Sequence, residues 1–278
     1  MGVIIGIDVG GSTTKIVGFE KKGDKRELIA PQFVRANDPV TATYGAFGKF
    51  TDENRLAISD IEKIMMTGVG SAYVKHDMYG LECVRVPEFT SIGRGALYLS
   101  GLSDALAVSM GTGTALVHAR NTGEMKYLGG TGVGGGTLMG LSKLLLHADS
   151  IEHIVEYAES GDLGNIDLRI KDMTKEDSLK SLSRDLTAAN FGNVSDLASR
   201  EDIAKGILNL VYETVGMVSI FAARQSATEN IILTGNLTRL PYCREKFDEF
   251  NRLGYGVTFT IPTLAEFSTV IGTALFGA

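Results

Sequence analysis

The chain has 278 residues, 44% hydrophobic and 22% charged, ordinary globular material with room for one large or two medium domains around a sizeable core. A formal charge of −6 without a basic block argues against a general nucleic-acid binder. Cys83 and Cys243 lie far apart, with no C-x-x-C or H-x-x-x-H spacing, which argues against structural zinc and fits free thiols in the cytosol.

The apolar stretches read as too short to cross a bilayer, and Met1-Gly2-Val3 leads into a strand rather than a basic signal region, so neither membrane nor secretion is expected. The unusual figure is 34 glycines against 5 prolines, gathered at turns where backbone can approach a ligand. The first such turn comes at once. Val3-Ile4-Ile5, then Gly6-Ile7-Asp8-Val9-Gly10-Gly11-Ser12-Thr13-Thr14-Lys15, then Ile16-Val17-Gly18-Phe19 predict strand, tight turn, strand. Gly10 and Gly11 allow turn amides to point at phosphate oxygens, and Ser12, Thr13, Thr14 and Lys15 add donors. Asp8, at the strand end, suits a Mg²⁺ held through water. The segment is neither G-x-x-x-x-G-K-[ST] nor a G-x-G-x-x-G that opens a helix, and a plain hairpin turn is the alternative reading.

Glu27 to Val34 reads as a third strand, and Asp38-Pro39 opens a helix to about Phe50, with Asp38 as N-cap. Ile61 to Met66 is a buried strand stopped by Thr67-Gly68-Val69-Gly70. A short helix over about 71–79 leads to strand Cys83 to Val86; Pro87-Glu88 then begins a helix that Gly101 ends. The plan restarts with strand Asp104 to Met110, turn Gly111-Thr112-Gly113-Thr114, and strands Ala115 to Ala119 and Glu124 to Leu128. Residues 129–136 are a loop with six glycines, followed by Leu138, Leu141, Leu144 and Leu145 at helical spacing. Residues 150–200 read as mostly helical and polar. A long amphipathic helix over about 202–224 carries Ile203, Ile207, Leu210, Val211, Thr214 and Val218 on one side, open to core packing or dimer contact. Strand Ile231 to Leu233, turn Thr234-Gly235-Asn236, a helix near 242–251, strand Val257 to Ile261 and a small-residue helix over 267–276 complete the pattern.

The order of these elements resembles the actin, Hsp70 and sugar-kinase superfamily. That resemblance implies an α/β fold of two actin-like (ribonuclease H-like) domains with mixed sheets flanking an ATP cleft, here 1–101 and 102–278. Asp8 to Lys15 and Ser109 to Thr114 would be its two phosphate segments, and Ile232 to Asn236 the segment beside the adenosine.

A narrower resemblance covers nearly the whole chain. Gly6 to Gly11, Val86-Pro87-Glu88-Phe89, Met110-Gly111-Thr112-Gly113-Thr114, Gly130 to Thr137 and Asp185-Leu186-Thr187-Ala188-Ala189-Asn190-Phe191-Gly192 are similar to the type II pantothenate kinases. Membership would imply ATP- and Mg²⁺-dependent phosphorylation of pantothenate, the first step of coenzyme A synthesis, by a cytoplasmic homodimer. It would make Glu88 the general base. Asp8, Gly10, Gly11, Ser12, Thr13, Thr14, Lys15, Thr112, Gly135, Gly136, Thr137, Leu138, Met139 and Asn236 would hold ATP, and Glu88, Thr112 and position 127 the acceptor. The competing reading of Glu88 is a carboxylate that complements a helix dipole. One position departs: Tyr127 stands where the family has an acceptor-contacting arginine, with Lys126 beside it on the opposite strand face. Arg94 is then an alternative acceptor cation, and a kinase for another hydroxyl compound, such as an N-acetyl sugar, becomes an alternative function. The first glycine turn also resembles the ATPase activators of 2-hydroxyacyl-CoA dehydratases, which hold an iron–sulfur cluster through closely placed cysteines; Cys83 and Cys243 form no such pair.

Overall fold

Two five-stranded mixed sheets with the same strand order carry the chain. The computed structural model describes all residues except Met1, Ser12, 23–24, 36–37 and 175–183. The first sheet is built from β1 (Val3–Val9), β2 (Thr14–Lys22) and β3 (Lys25–Val34), then β4 (Ile61–Thr67) and β5 (Cys83–Arg85), in the order β3-β2-β1-β4-β5. Between β3 and β4 runs α1 (Pro39–Glu53), whose N-cap Asp38 accepts from the Thr41 amide at 2.6 Å. The second sheet holds β6 (Asp104–Met110), β7 (Thr114–Arg120) and β8 (Met125–Thr131). After it come α3 (Gly135–Leu146), α4 (Ile151–Ser160), β9 (Leu168–Arg169), α5 (Ile170–Met173), β10 (Thr187–Ala189) and α6 (Arg200–Gln225). Then β11 (Asn230–Thr234), α7 (Pro241–Leu253) and β12 (Thr258–Thr260) close the sheet in the order β12-β11-β6-β7-β8. In each sheet an antiparallel three-stranded meander is extended by two parallel strands. The sequence plan that restarts after Gly101 is therefore a structural repeat.

The packing cuts across the boundary expected at Gly101. Helix α2 (Glu88–Ser100) lies on the second sheet, where Ile92, Ala96 and Leu97 share a core with Ala107, Val117, Ala119 and Ile232. Helix α8 (Ser268–Ala274) returns to the first sheet, where Val270, Ile271 and Ala274 pack with Val17 and Phe19. The two helices cross at glycines. A Cβ on Gly95 would come 1.8 Å from the Ser268 carbonyl oxygen, and one on Gly272 would come 1.9 Å from that of Ser91. Gly6 serves the same end, since a Cβ there would sit 2.7 Å from Ala274 Cβ and the Val270 oxygen.

Several elements differ from the expected ones. The helix expected over 71–79 is a 3₁₀ segment, Val69–Tyr73, and the glycine-dense loop shrinks to 132–134 because β8 and α3 extend into it. Residues 150–200, where described, hold α4, the single turn of α5, a 3₁₀ turn (Leu163–Asn165) and the two short strands β9 and β10 ahead of α6. Polar side chains in that stretch bond to backbone and α6 rather than forming helix. The solvated face expected over 171–180 lies largely outside the described residues. Helix α6, at 26 residues, is long and apolar enough to cross a membrane by length and composition, which corrects the expectation of no such stretch. Here Ala204, Ile207, Leu208, Val211, Tyr212 and Val215 bury it in the larger core.

Candidate active site

Three glycine-bearing turns converge at the carboxyl ends of β6 and β11. Gly111 and Gly113 close the β6–β7 turn, with the Gly111 amide donating to the Gly113 oxygen at 2.9 Å. The start of α3 docks on that turn: the Gly135 amide donates to the Gly111 oxygen at 2.9 Å and the Gly136 amide to the Thr112 oxygen at 2.8 Å. Gly134 allows this approach, because its Cβ would meet Gly113 Cα and the Thr112 oxygen at 2.8 Å. Gly235 (φ +92°) brings in the third turn, with its Cα 's missing side chain leaving room for the Met110 oxygen, 2.5 Å from an ideal Cβ. Asn236 follows directly, at the start of a 3₁₀ turn, Asn236–Arg239.

This geometry alters the roles of several expected ATP residues. The Gly135 and Gly136 amides, read as phosphate donors, are engaged with the β6–β7 turn in this conformation. Thr137 donates its hydroxyl proton to the Gly132 oxygen at 2.8 Å and accepts from the Gly134 amide at 3.4 Å, so it holds the glycine loop closed. Leu138 is fully buried in the core and Met139 packs against it, leaving no side chain for a ligand at Leu138. Thr112 is exposed between the turn and α3.

On the other side stands the β1–β2 turn. The Gly10 amide donates to the Thr13 oxygen at 3.0 Å, and a Cβ on Gly11 would meet nothing, so the turn is open above Gly11. Ser12 lies outside the described residues. Thr14 is only 2% exposed and sits between Val9 and Val34 in the sheet, so its side chain belongs to the interior rather than to the open turn. Lys15 is buried as well; its Nζ donates to the Glu266 backbone oxygen at 2.6 Å, and burial pushes its ammonium pKa down against the opposing pull of Asp8. The expected phosphate donor is thus a tie between β2 and the Ala265–Phe267 turn.

Asp8 and Glu88 are the chemically pointed pair. Burial raises the Asp8 carboxyl above its usual range, with Lys15 pulling the other way. Glu88, the first residue of α2, is raised by desolvation and then by the negative charge of Asp8. A Cβ on Gly68 would come 2.6 Å from Asp8 Oδ1, so the absence of a side chain there keeps one face of the carboxylate clear. A cleft of about 330 Å³ beside the pair is lined by Thr67, Gly68, Val69, Ser71, Arg85 and Glu88, among others. Glu88 also lies next to a feature that spacing did not reveal. Phe89 of α2 stacks face to face on Tyr127 of β8, with centroids 3.9 Å apart and planes at 11°. The alternative acceptor cation, Arg94, is committed elsewhere: it donates to the Leu275 oxygen and lies 4.3 Å over the Phe276 ring.

The Asp185-to-Gly192 run is anchored on α6. Asn190 Nδ2 donates to Glu213 at 2.8 Å, and the Phe191 amide donates to buried Asp167 at 2.8 Å, which also accepts from Asn209 Nδ2 at 2.7 Å. Its side chains therefore secure a fold contact, and none of these bonds reaches the glycine turns.

The donor set suits a magnesium nucleotide. Asp8 accepts no hydrogen bond from the described residues and faces a second raised carboxyl, a pairing that a divalent cation relieves, and Mg²⁺ ordinarily takes only one or two protein carboxylates beside phosphate and water. Among the described residues, no cluster of three or more His, Cys, Asp or Glu side chains offers an all-protein cage.

Compared with known proteins, the chain matches the family model described as Fumble over residues 102–259. It is 31% identical over 265 residues to a type II pantothenate kinase of Oceanobacillus iheyensis, covering 92% of this chain and 93% of that one. The corresponding Staphylococcus aureus enzyme is 30% identical over 242 residues, with 84% of each chain covered. Among solved structures, the activator of 2-hydroxyisocaproyl-CoA dehydratase from Clostridium difficile, with bound ADPNP, aligns over 99% of this chain and 93% of that one, with TM-score 0.69 and 17% identity. A ROK family glucokinase from Streptomyces griseus, in complex with glucose and AMPPNP, aligns over 99% of both with TM-score 0.59 and 13% identity. The structural likenesses carry the fold, two actin-like domains with mixed sheets, and nothing finer.

Proposed function

The chain belongs to the Fumble family of type II pantothenate kinases, and from that premise we propose that it transfers the γ-phosphoryl group of ATP to the primary hydroxyl of pantothenate, giving 4'-phosphopantothenate and ADP, the first step of coenzyme A synthesis. The observation that carries the site assignment is the placing of two raised carboxyls, Asp8 and Glu88, beside an open glycine turn and a cleft. Glu88 takes the proton from the acceptor hydroxyl as its oxygen bonds to phosphorus and the bond to the β-phosphate oxygen breaks. A carboxylate whose pKa is raised by desolvation is a better base than a solvated one. The turns around Gly10, Gly11, Thr13, Thr112 and Asn236 approach the nucleotide through backbone and exposed hydroxyls, because phosphoryl transfer is mostly positioning and charge neutralisation. Asp8 would hold Mg²⁺, an ion that would supply charge neutralisation at the phosphates.

A homodimer in the cytoplasm fits this reading. Leu144, Leu145 and Phe221 are large apolar side chains exposed on α3 and α6, and free thiols suit a reducing compartment. A sugar acceptor is the second reading, favoured only by Tyr127. The cluster-bearing activator reading has less support: Cys243 is fully buried, with its thiol pushed up to about 12 by burial, and is no ready cluster ligand.

A coupled ADP-release assay with Mg-ATP, offering pantothenate and a panel of sugars, tests the proposal. Pantothenate-dependent turnover should fall by about 10²–10⁴-fold in Glu88→Ala, with ATP binding retained. Turnover with a sugar and none with pantothenate would overturn it.

A further inference from the structure

Resting on the kinase reading, we propose that the Phe89–Tyr127 stack is the wall against which the acceptor lies, that it holds the acceptor without an ion pair, and that Tyr127 is thereby a specificity-determining residue. Both rings are open to solvent, Phe89 40% and Tyr127 47% exposed, although their centroids meet at 3.9 Å. The stack joins α2, which carries Glu88, to β8, which enters the glycine loop. Successive helical residues are about 100° apart, so Phe89 flanks the Glu88 carboxylate and does not cover it. Gly130 leaves room for the far end of Tyr127, since a Cβ there would come 3.3 Å from the Tyr127 hydroxyl. Two flat rings stacked on each other, Phe89 next to the proposed base and Tyr127 three residues before Gly130, form a preorganised apolar surface with one neutral hydrogen-bonding group.

The neighbouring cations are occupied. Arg85 donates to the carbonyl oxygens of Ser71, Ala72 and Val74, the nearest at 3.1 Å. Arg94 is held at Leu275 and Phe276, and Lys15 at Glu266. Lys126 pairs with His118 and Tyr127 with Val117 across the β7–β8 ladder, which puts the lysine on the opposite sheet face. The acceptor's recognition therefore falls to dispersion and neutral hydrogen bonds, and the charge at its far end contributes little.

Steady-state kinetics with pantothenate and with its neutral primary carboxamide test this. The carboxamide should show a KM within about fivefold of that of pantothenate; Tyr127→Ala should raise both acceptor KM values by more than about fivefold, leave the KM for ATP within about twofold, and Tyr127→Phe should restore the acceptor KM. A carboxamide KM raised beyond that range would mean that a cation, with Arg85 across the cleft the first suspect, carries the acceptor, and the proposal falls. It falls equally if Tyr127→Ala leaves the acceptor KM unchanged, or raises the KM for ATP in step. Absence of turnover with either acceptor in the unsubstituted enzyme overturns the kinase reading itself.

Discussion

Glu88 shows how a residue gains a role from a neighbour distant in sequence. Its carboxyl is raised by desolvation and by Asp8, which sits eighty positions earlier and reaches it only because β1 and β4 pair in parallel and Gly68 leaves room between them. With Glu88 in its proposed role of a base that works ionised, activity should fall as pH drops through a Glu88 pKa above its ordinary 4.5. Asp8→Asn removes the second of the two causes, so the Glu88 carboxyl should titrate at lower pH than in the unsubstituted protein. It should still titrate above the ordinary value, because desolvation remains. Carbon-detected NMR of the Glu88 carboxyl reads this without turnover; an unchanged midpoint would separate the two groups electrostatically.

At the scale of an element, α6 is held at its start by one carboxylate. Asp202 accepts from the Ser199 amide at 3.0 Å, the Asp162 amide at 2.6 Å and Asn165 Nδ2 at 3.1 Å, while Ser199 Oγ accepts from the Asp202 amide. Desolvation alone would raise its pKa, but these donors outweigh it and hold the carboxyl below the usual range. A carboxyl lowered on folding contributes stability above its unfolded pKa, near 3.8, and loses it as pH falls through the lower folded value. Asp202→Asn, which turns a donor toward donors, should lower stability at neutral pH by about 1–3 kcal/mol. That difference should shrink in acid, as read by denaturant unfolding at two pH values; a constant deficit would point to packing instead.

At the scale of the molecule, the two halves are tied by an exchange of helices, α2 onto the second sheet and α8 onto the first, meeting at Gly95 and Gly272. Lys15 to the Glu266 oxygen adds a further tie across the same seam, and the Phe89–Tyr127 stack fastens α2 to the second sheet. A methyl group at Gly272 meets backbone at 1.9 Å, which no rotamer relieves, so Gly272→Ala should force the helices apart. The expected result is a loss of about 1–3 kcal/mol or more together with weakened turnover, since Glu88 rides on α2. Full stability and activity in that variant would show that the seam can open without strain.

The repeated strand order was legible in the sequence because apolar runs alternate with glycine turns at similar spacing in both halves, and strand and turn signals are local. The glycine turns, Glu88 at a helix start and the Asp38 cap were legible for the same reason. What sequence could not give was direction and partnership. Thr14, Lys15, Gly135, Gly136 and Leu138 stand in the right motifs, yet their side chains or amides are spent on the sheet, the opposite half, the neighbouring turn or the core. The placing of α2 on the second sheet was not legible, because its apolar face finds its complement there and complementarity between surfaces is not written in spacing. The pairing of Tyr127 with Phe89, thirty-eight positions apart, is of the same kind: the family resemblance singled out the residue, and only the fold of β8 against α2 decided what it touches.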